Sequence, residues 1–503
     1  MRLFITAVLG GLLCLYGNTQ PLQGSKVYYG LLHAHTYFSD GSGTPAEAYR
    51  MAKTAGLHFF AVTEHNHAEA EAGAKERKDG IMIATNPALY NGNSNQTITR
   101  RFKVNGQNRT ETVTVSPLIK SASEASEPQF QALYGQEFST ISSSNHVNVL
   151  GVREVLTVPN GDFRQLVDAL KRSEQATGVR PMLQFNHPDI QKDLFYTGND
   201  PKVTKVMFND YGIDEGDLGP HFKDLVAALD PYVHLIEILS GPAMGEEVIG
   251  NHYYRDANEN DYFFYLKQGF HISPSAGQDN HYKTWGTITD ARTGILAQSL
   301  SEAAVFDAFR RNRTFATEDK NLDLVLLLGD SVMGSSVTIA EETELDFKIR
   351  IHDADEPNAK YLVEIFGGDI KPELSTNATN WKQRDALLEN KQLTGNGTYS
   401  IKNIFATDKP SFYYAKITQQ NADGGSNRGW TAPIWVNDGR TTHTTSDTTV
   451  GPQYYWTSAA SSRVYHLKGC SAISRIKPEN LQSGNTPPAG RTQHTCNVSE
   501  EEE

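Results

Sequence analysis

The chain has 503 residues, a formal net charge of −13 and 38% hydrophobic residues, material for about two to four domains with substantial cores. Its acidic balance argues against tight, salt-dependent duplex binding, which rests on clustered Lys and Arg. Only three cysteines occur, Cys14, Cys470 and Cys496, which excludes a disulfide framework.

Met1-Arg2, followed by an apolar run from Leu3 to Leu15 and closed by Asn18-Thr19-Gln20-Pro21, reads as a signal peptide over 1–20. The expectation is therefore a secreted or periplasmic protein. Lipoprotein anchoring at Cys14 is not favoured, because Leu12-Leu13 stand where a small residue is needed. No later apolar run approaches the ~20 residues of a spanning helix, so no transmembrane segment is expected in the mature chain.

From 26 to 320 the pattern alternates between strand and helix. The first strand is Leu31-Leu32-His33-Ala34-His35, with Asp40 five residues on. Side chains alternate faces along a strand, so His33 and His35 point the same way and can grip one metal ion, to which Asp40 adds an anionic oxygen. Thr44-Pro45 opens a helix with a capping residue and Pro in its first turn. A second apolar strand ends in Thr63-Glu64-His65-Asn66-His67. Residues 77–131 interrupt the alternation with Asn-, Thr- and Ser-rich sequence and a hairpin around Val104-Asn105-Gly106-Gln107. This insertion either lies over the site and shapes the substrate pocket or is a solvated surface loop.

The signature then recurs. Leu133 to Phe138 places Glu137 after a strand, and Asn145-His146 opens the next. A helix over 160–177, with Phe163, Leu166, Val167 and Leu170 on one face, leads to the strand ending at His187. Residues 189–222 form an irregular second loop. Leu235-Ile236-Glu237-Ile238 reads as another strand, in which Glu237 is more a structural or ligand-orienting group than a ligand. A helix from Tyr262 to Gly269 precedes Asp279-Asn280-His281, and Arg292 follows, placed either for bidentate contact with substrate oxygens or for a salt bridge. The chain has 16 histidines, and the ordered recurrence of acid and histidine after apolar strands marks a polynuclear metal site.

That ordered set resembles the PHP superfamily, the polymerase and histidinol phosphatase metallohydrolases, from Tyr28 to Thr317. The resemblance implies an α/β fold, a distorted (β/α)7 barrel with up to three metals at its strand ends. It implies His33, His35, Glu137 and Asp279 on one ion, and Asp40, His65 and His281 on a second. Glu137 would bridge to a third, held by His146 and His187. The Tyr134-Gly-Gln-Glu-Phe-Ser-Thr and Arg313-Thr-Phe-Ala-Thr stretches look like the extracytoplasmic branch that includes carbaryl hydrolase. The second motif departs from the family's T-D-H: Glu64, longer by a methylene, is taken as a group that orients a ligand.

The chemistry expected is hydrolysis by a metal-bound hydroxide, because paired ions clamp the attacking and leaving oxygens and ionise bound water near pH ~7. Asp40, Glu137, Asp279 and Arg292 are the candidate catalytic residues. Two or three zinc, manganese or iron ions suit the mixed nitrogen and oxygen ligands. Three carboxylates against those ions leave a positive excess, which favours a small anionic ester, a phosphoester first. A nuclease or nucleotide phosphodiesterase, disfavoured by charge, and a carbamate or carboxylic ester hydrolase are the alternatives.

Over 321–438 the pattern becomes short alternating strands, roughly seven, the size of an all-β immunoglobulin-like sandwich. A Thr- and Ser-rich linker at 439–455 leads to a small module over 456–498 that resembles those attached to some exported nucleases. His466, Cys470, His494 and Cys496 can build a structural zinc site there; a Cys470–Cys496 disulfide is the competing pairing. Residues 499–503 form an acidic tail.

Overall fold

The computed structural model describes residues 24–67, 82–104, 107–139, 145–189, 220–249, 257–371, 386–422 and 424–440, then 454–459, 461–467 and parts of 472–493. The leader over 1–20, most of the loop at 189–222, the hairpin tip Asn105-Gly106, the Thr-rich part of the linker, Cys470, His494, Cys496 and the acidic tail lie outside them. The chain divides into two compact units, Met1–Arg440 and Thr441–Glu503.

The first unit is mixed α/β and mostly sheet. Its strands begin β1 (Lys26–Leu31), β2 (Phe59–His65), β3 (Gln96–Val104), β4 (Gln107–Val115), β5 (Gln131–Phe138), β6 (Val147–Leu150), β7 (Met182–Phe185), β8 (Val233–Ser240), β9 (Ser273–Gly277), β10 (Arg292–Ala297) and β11 (Thr314–Thr317). All seven residues of β2 are buried. Its apolar opening, Phe59-Phe60-Ala61-Val62, is the mark of a parallel strand covered on both faces. Between β1 and β2 the helix Pro45–Thr54 starts where expected: Thr44 and Glu47 form a reciprocal capping box, with Pro45 in the first turn. The helix Phe163–Thr177 is capped by Asp162 and stopped by Gly178 in the left-handed region (φ 67°).

The main sheet carries the consecutive order β11-β10-β1-β2-β5-β6-β7-β8-β9. Parallel pairs β1–β2, β2–β5, β7–β8 and β8–β9 fit the expected alternation. The closed (β/α)7 barrel is not traced by these ladders. β6 runs antiparallel to both neighbours, and β10 and β11 add antiparallel beyond β1, where β9 meets them through side-chain hydrogen bonds, Thr293 with Ala276 and Thr314 with Pro274, and not through a strand ladder. One parallel bridge, Ala34 to Asn280, brings the end of β1 to the segment after β9. β3 and β4 pair only with each other among the described residues, with Val104 opposite Gln107. The first six of the nine β4 residues, those nearest the hairpin tip, are solvent-exposed, whereas Leu89, Tyr90, Leu118 and Phe130 of the same insertion are buried in the core.

The strands continue as β12 (Asp323–Leu328), β13 (Ser331–Val332), β14 (Ser336–Val337), β15 (Phe347–His352), β16 (Lys360–Asp369), β17 (Leu387–Thr394), β18 (Gly397–Ile401), β19 (Ser411–Gln420), β20 (Ser426–Thr431) and β21 (Ile434–Val436). β12, β13, β15 and β18 form a four-stranded sheet. It shares one core with the larger sheet through Phe347, Ile349, Val363, Ile365 and Ile417. Immunoglobulin topology is not traced. β20 instead pairs antiparallel with β11, Phe315 opposite Thr431, so the large sheet runs without a break across the expected boundary at 320. Phe263 and Tyr262 pack on Phe412 and Tyr414, centroids 5.4 and 5.0 Å apart.

In the second unit β22 (Tyr454–Thr457), β23 (Val464–Leu467), β24 (Leu481–Gly484) and β25 (Thr492–Gln493) make a small sheet. His466 is buried on β23; the other three residues of its expected zinc or disulfide chemistry fall outside the described part. No helix among the described residues is long and apolar enough to cross a membrane.

Candidate metal centre

Strand register brings the site together. In the parallel β2–β5 ladder His65 lies directly opposite Glu137. In the antiparallel β5–β6–β7 ladders Phe138 faces Val147 and Val147 faces Phe185. His146 and His187 therefore both emerge just beyond paired strand ends on the Glu137 side. The Ala34–Asn280 bridge sets His33 and His35 beside Asp279 and His281.

All nine expected ligands converge. His35, Asp40, His65 and His281 form one group, His33, His35 and Asp279 another. Glu137 is shared by His33 with His187 and by His65 with His146; within each group the ligand atoms lie within 4.8 Å of one another. Asp279 Oδ1 is 3.1 Å from both His33 Nε2 and His35 Nε2. Glu137 lies 3.1 Å from His33, 2.9 Å from His65, 3.3 Å from His146 and 3.4 Å from His187. Asp40 Oδ1 is 3.2 Å from His281 and 3.7 Å from His65.

Groups behind the ligands fix which nitrogen faces inward. Glu237, fully buried, accepts from His33 Nδ1 at 2.8 Å, from the His187 backbone N–H at 2.8 Å, from Ser240 at 3.0 Å and from Gln184 at 3.3 Å. Glu64 turns away from the centre and accepts from the Thr36 backbone N–H and from the Thr36 and Ser39 hydroxyls. Ser39 in turn lies 3.1 Å from His35 Nδ1. With both Nδ1 atoms committed as donors, His33 and His35 direct Nε2 lone pairs at each other across 3.2 Å. Acceptors facing acceptors cannot hydrogen-bond. A divalent cation resolves the conflict: ligand atoms at ~2.0–2.2 Å from an ion stand about 3.0–3.4 Å from one another, which matches these separations. Asp40 Oδ1 and Glu137 Oε2 are also buried without a hydrogen-bond partner.

Without an ion, the buried carboxylates would instead draw protons onto these imidazoles, protons that a cation replaces. Burial alone would lower His33 and His35, but the Asp279 and Glu137 carboxylates raise both, His35 to about 10. Burial opposes ionisation of Glu137 and Asp279, yet the surrounding imidazoles hold both well below the usual range. His187 and Asp279 occupy left-handed backbone, φ 28° and 50°, conformations that cost about 1–3 kcal/mol each and persist where surrounding structure enforces them. The centre opens to solvent along one side: Asp279, His146 and His187 keep 14–17% side-chain exposure, whereas His33 and Glu137 keep 0–1%.

Arg292 is not brought to this centre. Its buried guanidinium donates to the carbonyls of Gly286, Thr289 and Ala291 and braces the loop after His281, in place of the substrate contact or salt bridge expected for it. Asn186 is a participant that the pattern did not single out: its amide donates to Glu137 Oε1 at 2.8 Å. So is Ser139, which bridges His67 and His65 at 2.5 and 3.5 Å. Asn186 adjoins His187 and Ser139 stands two residues after Glu137 in sequence, and that adjacency was the signal available.

No family model matches this chain, and no curated protein does. Among solved structures it is similar to a two-domain protein from Bacteroides vulgatus containing a predicted PHP-like metal-dependent phosphoesterase. That match has 12% identity and a TM-score of 0.36, and covers 79% of this chain and 92% of that one. A putative metal-dependent phosphoesterase from Bifidobacterium adolescentis matches at 11% identity and TM-score 0.27, covering 56% and 94%. An amidohydrolase from Chromobacterium violaceum matches at 14% and 0.23, covering 51% and 89%. At TM-scores this low, none of the three carries a fold or a role over to this chain.

Proposed function

We propose that the chain is a metal-dependent hydrolase of the PHP type, cleaving ester bonds and preferring phosphoesters. The observation that carries this reading is the convergence of nine ligand-type side chains on one centre, with His33 and His35 Nε2 turned to each other and Asp40 Oδ1 and Glu137 Oε2 buried without a hydrogen-bond partner. Divalent ions held there supply Lewis-acid polarisation and bound water that ionises near pH ~7. The chain's own residues do the positioning: Glu237 holds His33, the Glu64–Ser39 pair holds His35, and Asn186 holds Glu137. Substrate enters along the side lined by His146, His187 and Asp279.

The charge balance differs from the one expected from three acids. Glu64 and Glu237 are buried behind the ligands, so five carboxylates surround the ions. Two divalent ions leave a formal −1, and three leave +1. Phosphate attraction therefore goes with occupancy by three ions, including one between Glu137, His146 and His187. Export through the 1–20 leader belongs to the same proposal.

Metal content by mass spectrometry on leader-free protein, paired with p-nitrophenyl phosphate, bis-p-nitrophenyl phosphate, single-stranded DNA and a naphthyl carbamate, tests it. Bound ions with monoester or diester turnover support the reading. DNA cleavage alone would make it a nuclease. Carbamate turnover alone would sink the phosphoester preference, and absence of both metal and turnover after reconstitution would sink the hydrolase.

A further inference from the structure

The β6–β7 ladder runs on past its last strand pair, Val147 opposite Phe185. The Asn186 N–H donates to the His146 carbonyl at 2.8 Å, and the Asn145 N–H to the His187 carbonyl at 3.4 Å. In that continuing register His146 is level with Asn186, and residues so opposed share a face. On it Asn186 reaches Glu137 Oε1 at 2.8 Å, and His146 Nδ1 stands 3.3 Å from the same oxygen. Successive side chains of a strand point to opposite faces, so His187 should turn away from Glu137. It does not: its Nε2 lies 3.4 Å from Glu137 Oε1, and its ring centroid 4.8 Å from that of His146. The left-handed backbone at His187, φ 28°, breaks the alternation. Contacts on both flanks enforce it. On one side Glu237 accepts the His187 N–H at 2.8 Å. On the other, Asn145 clamps Asp189: Oδ1 accepts from the Asp189 N–H and Nδ2 donates to the Asp189 carbonyl, each at 2.9 Å. Asn145 is 4% exposed and itself left-handed, φ 58°, a conformation Asn tolerates.

We propose that Asn145 is a positioning residue for the third ion: its clamp on Asp189 keeps His187 beside His146 at Glu137, and so decides whether the centre holds two ions or three. This rests on the metal-hydrolase reading above. The groups His33, His35 and Asp279, and His35, Asp40, His65 and His281, come from the chain after β1, the end of β2 and the segment after β9. The Ala34–Asn280 bridge ties these together, and Asn145 touches none of them. Glu137 with His146 and His187 depends on the clamp, and the two histidines are on the open side, at 14% and 17% side-chain exposure. With five carboxylates around the ions, the third carries the formal charge from −1 to +1. Asn145 therefore also governs how strongly the centre holds phosphate.

The test dialyses metal-stripped full chain against graded manganese, read by elemental mass spectrometry, with binding of inorganic phosphate measured by calorimetry alongside. Asn145→Gly removes the clamp and leaves φ 58° unstrained. Asn145→Asp keeps the shape but sets an oxygen against the Asp189 carbonyl in place of the donor. Wild type should take up three ions. Both variants should bind two as the wild type does and the third about tenfold or more weakly. Phosphate binding should weaken with it and recover at excess manganese, with an unchanged circular dichroism spectrum. Three ions at wild-type affinity in both variants would overturn the role of Asn145 and leave the hydrolase reading standing. Equal weakening of all three ions would do the same, since that is a fold effect. Two ions in the wild type overturn the third site, and none overturns the hydrolase reading and this proposal with it.

Discussion

Replacing Glu237 by Gln tests the architecture of the centre most directly. Size and shape are conserved, so a packing account predicts almost no effect. The hydrogen bonds predict otherwise. Each carboxylate oxygen accepts twice, Oε1 from His33 Nδ1 and Gln184 Nε2, Oε2 from the His187 backbone N–H and the Ser240 hydroxyl. An amide must set its NH2 against one of those pairs, donor against donor. Facing His33, it removes the group that fixes the imidazole with Nε2 inward; facing His187, it loosens a ligand held at φ 28°. Loss of a group that orients a metal-ligating histidine typically lowers metal affinity or activity about 10–100-fold, roughly 1.4–2.7 kcal/mol. Metal titration of stripped protein, followed by turnover at each ion concentration, should show weaker binding by that factor and recovery at excess metal. Wild-type affinity and turnover in Glu237→Gln would refute the claim that Glu237 sets the His33 tautomer.

Gly277→Ala should reproduce this effect from the other side, because its Cβ would stand 1.8 Å from Glu237 Oε1; an unchanged metal titration in that variant would show that Glu237 can move without consequence. His187→Ala removes a ligand outright and should cost turnover about a hundredfold or more, beyond the range for orienting groups, with an unchanged circular dichroism spectrum; full activity would remove His187 from the site. His271, packed on Trp435, lies between Asp230 and Asp438, 3.3 Å from each, with Arg440 on Asp230. Burial opposes its charge but the two carboxylates raise it, while burial of Asp230 and Asp438 is outweighed by His271, which lowers both. A raised histidine contributes fully below its unfolded value of 6.5 and loses its contribution as pH climbs through the higher folded value; the lowered carboxylates contribute above 3.8. Stability from this cluster should hold between those limits and fall above 6.5, and Tm against pH should flatten there in His271→Gln. An equal slope in wild type and variant would remove His271 from that dependence.

Sequence periodicity showed the ligands well because most of them stand at or just beyond the ends of apolar strands, and strand ends on one side of a sheet meet. His33 and His35 at i and i+2, and His65 level with Glu137, need only alternation and parallel register to converge. The pairing partners were less legible. A four-residue strand such as β6 carries no signal of direction, so its antiparallel run beside β5 and β7 was hidden in the same apolar alternation a parallel strand would show. Nor does the chain announce that β20 joins β11, since pairing across more than a hundred residues is set by packing of Phe263, Tyr262, Phe412 and Tyr414. Arg292 misled for a related reason: an arginine near a metal motif looks the same whether its guanidinium meets a substrate or three loop carbonyls.

The positioning groups explain why the centre tolerates so much opposing burial. Glu64 and Glu237 bring two more negative charges into a region that already holds three, a cost that grows as water is excluded. In return each fixes a backbone segment as well as an imidazole: Glu64 ties the Thr36 N–H, and Glu237 ties the His187 N–H beside its strained φ. Ligand orientation and local chain path are thus set by the same two carboxylates, before any ion arrives. A centre built this way exchanges folding stability for a site whose geometry does not have to be assembled at binding. The left-handed conformations at His187 and Asp279 are the places where that exchange is visible in the backbone.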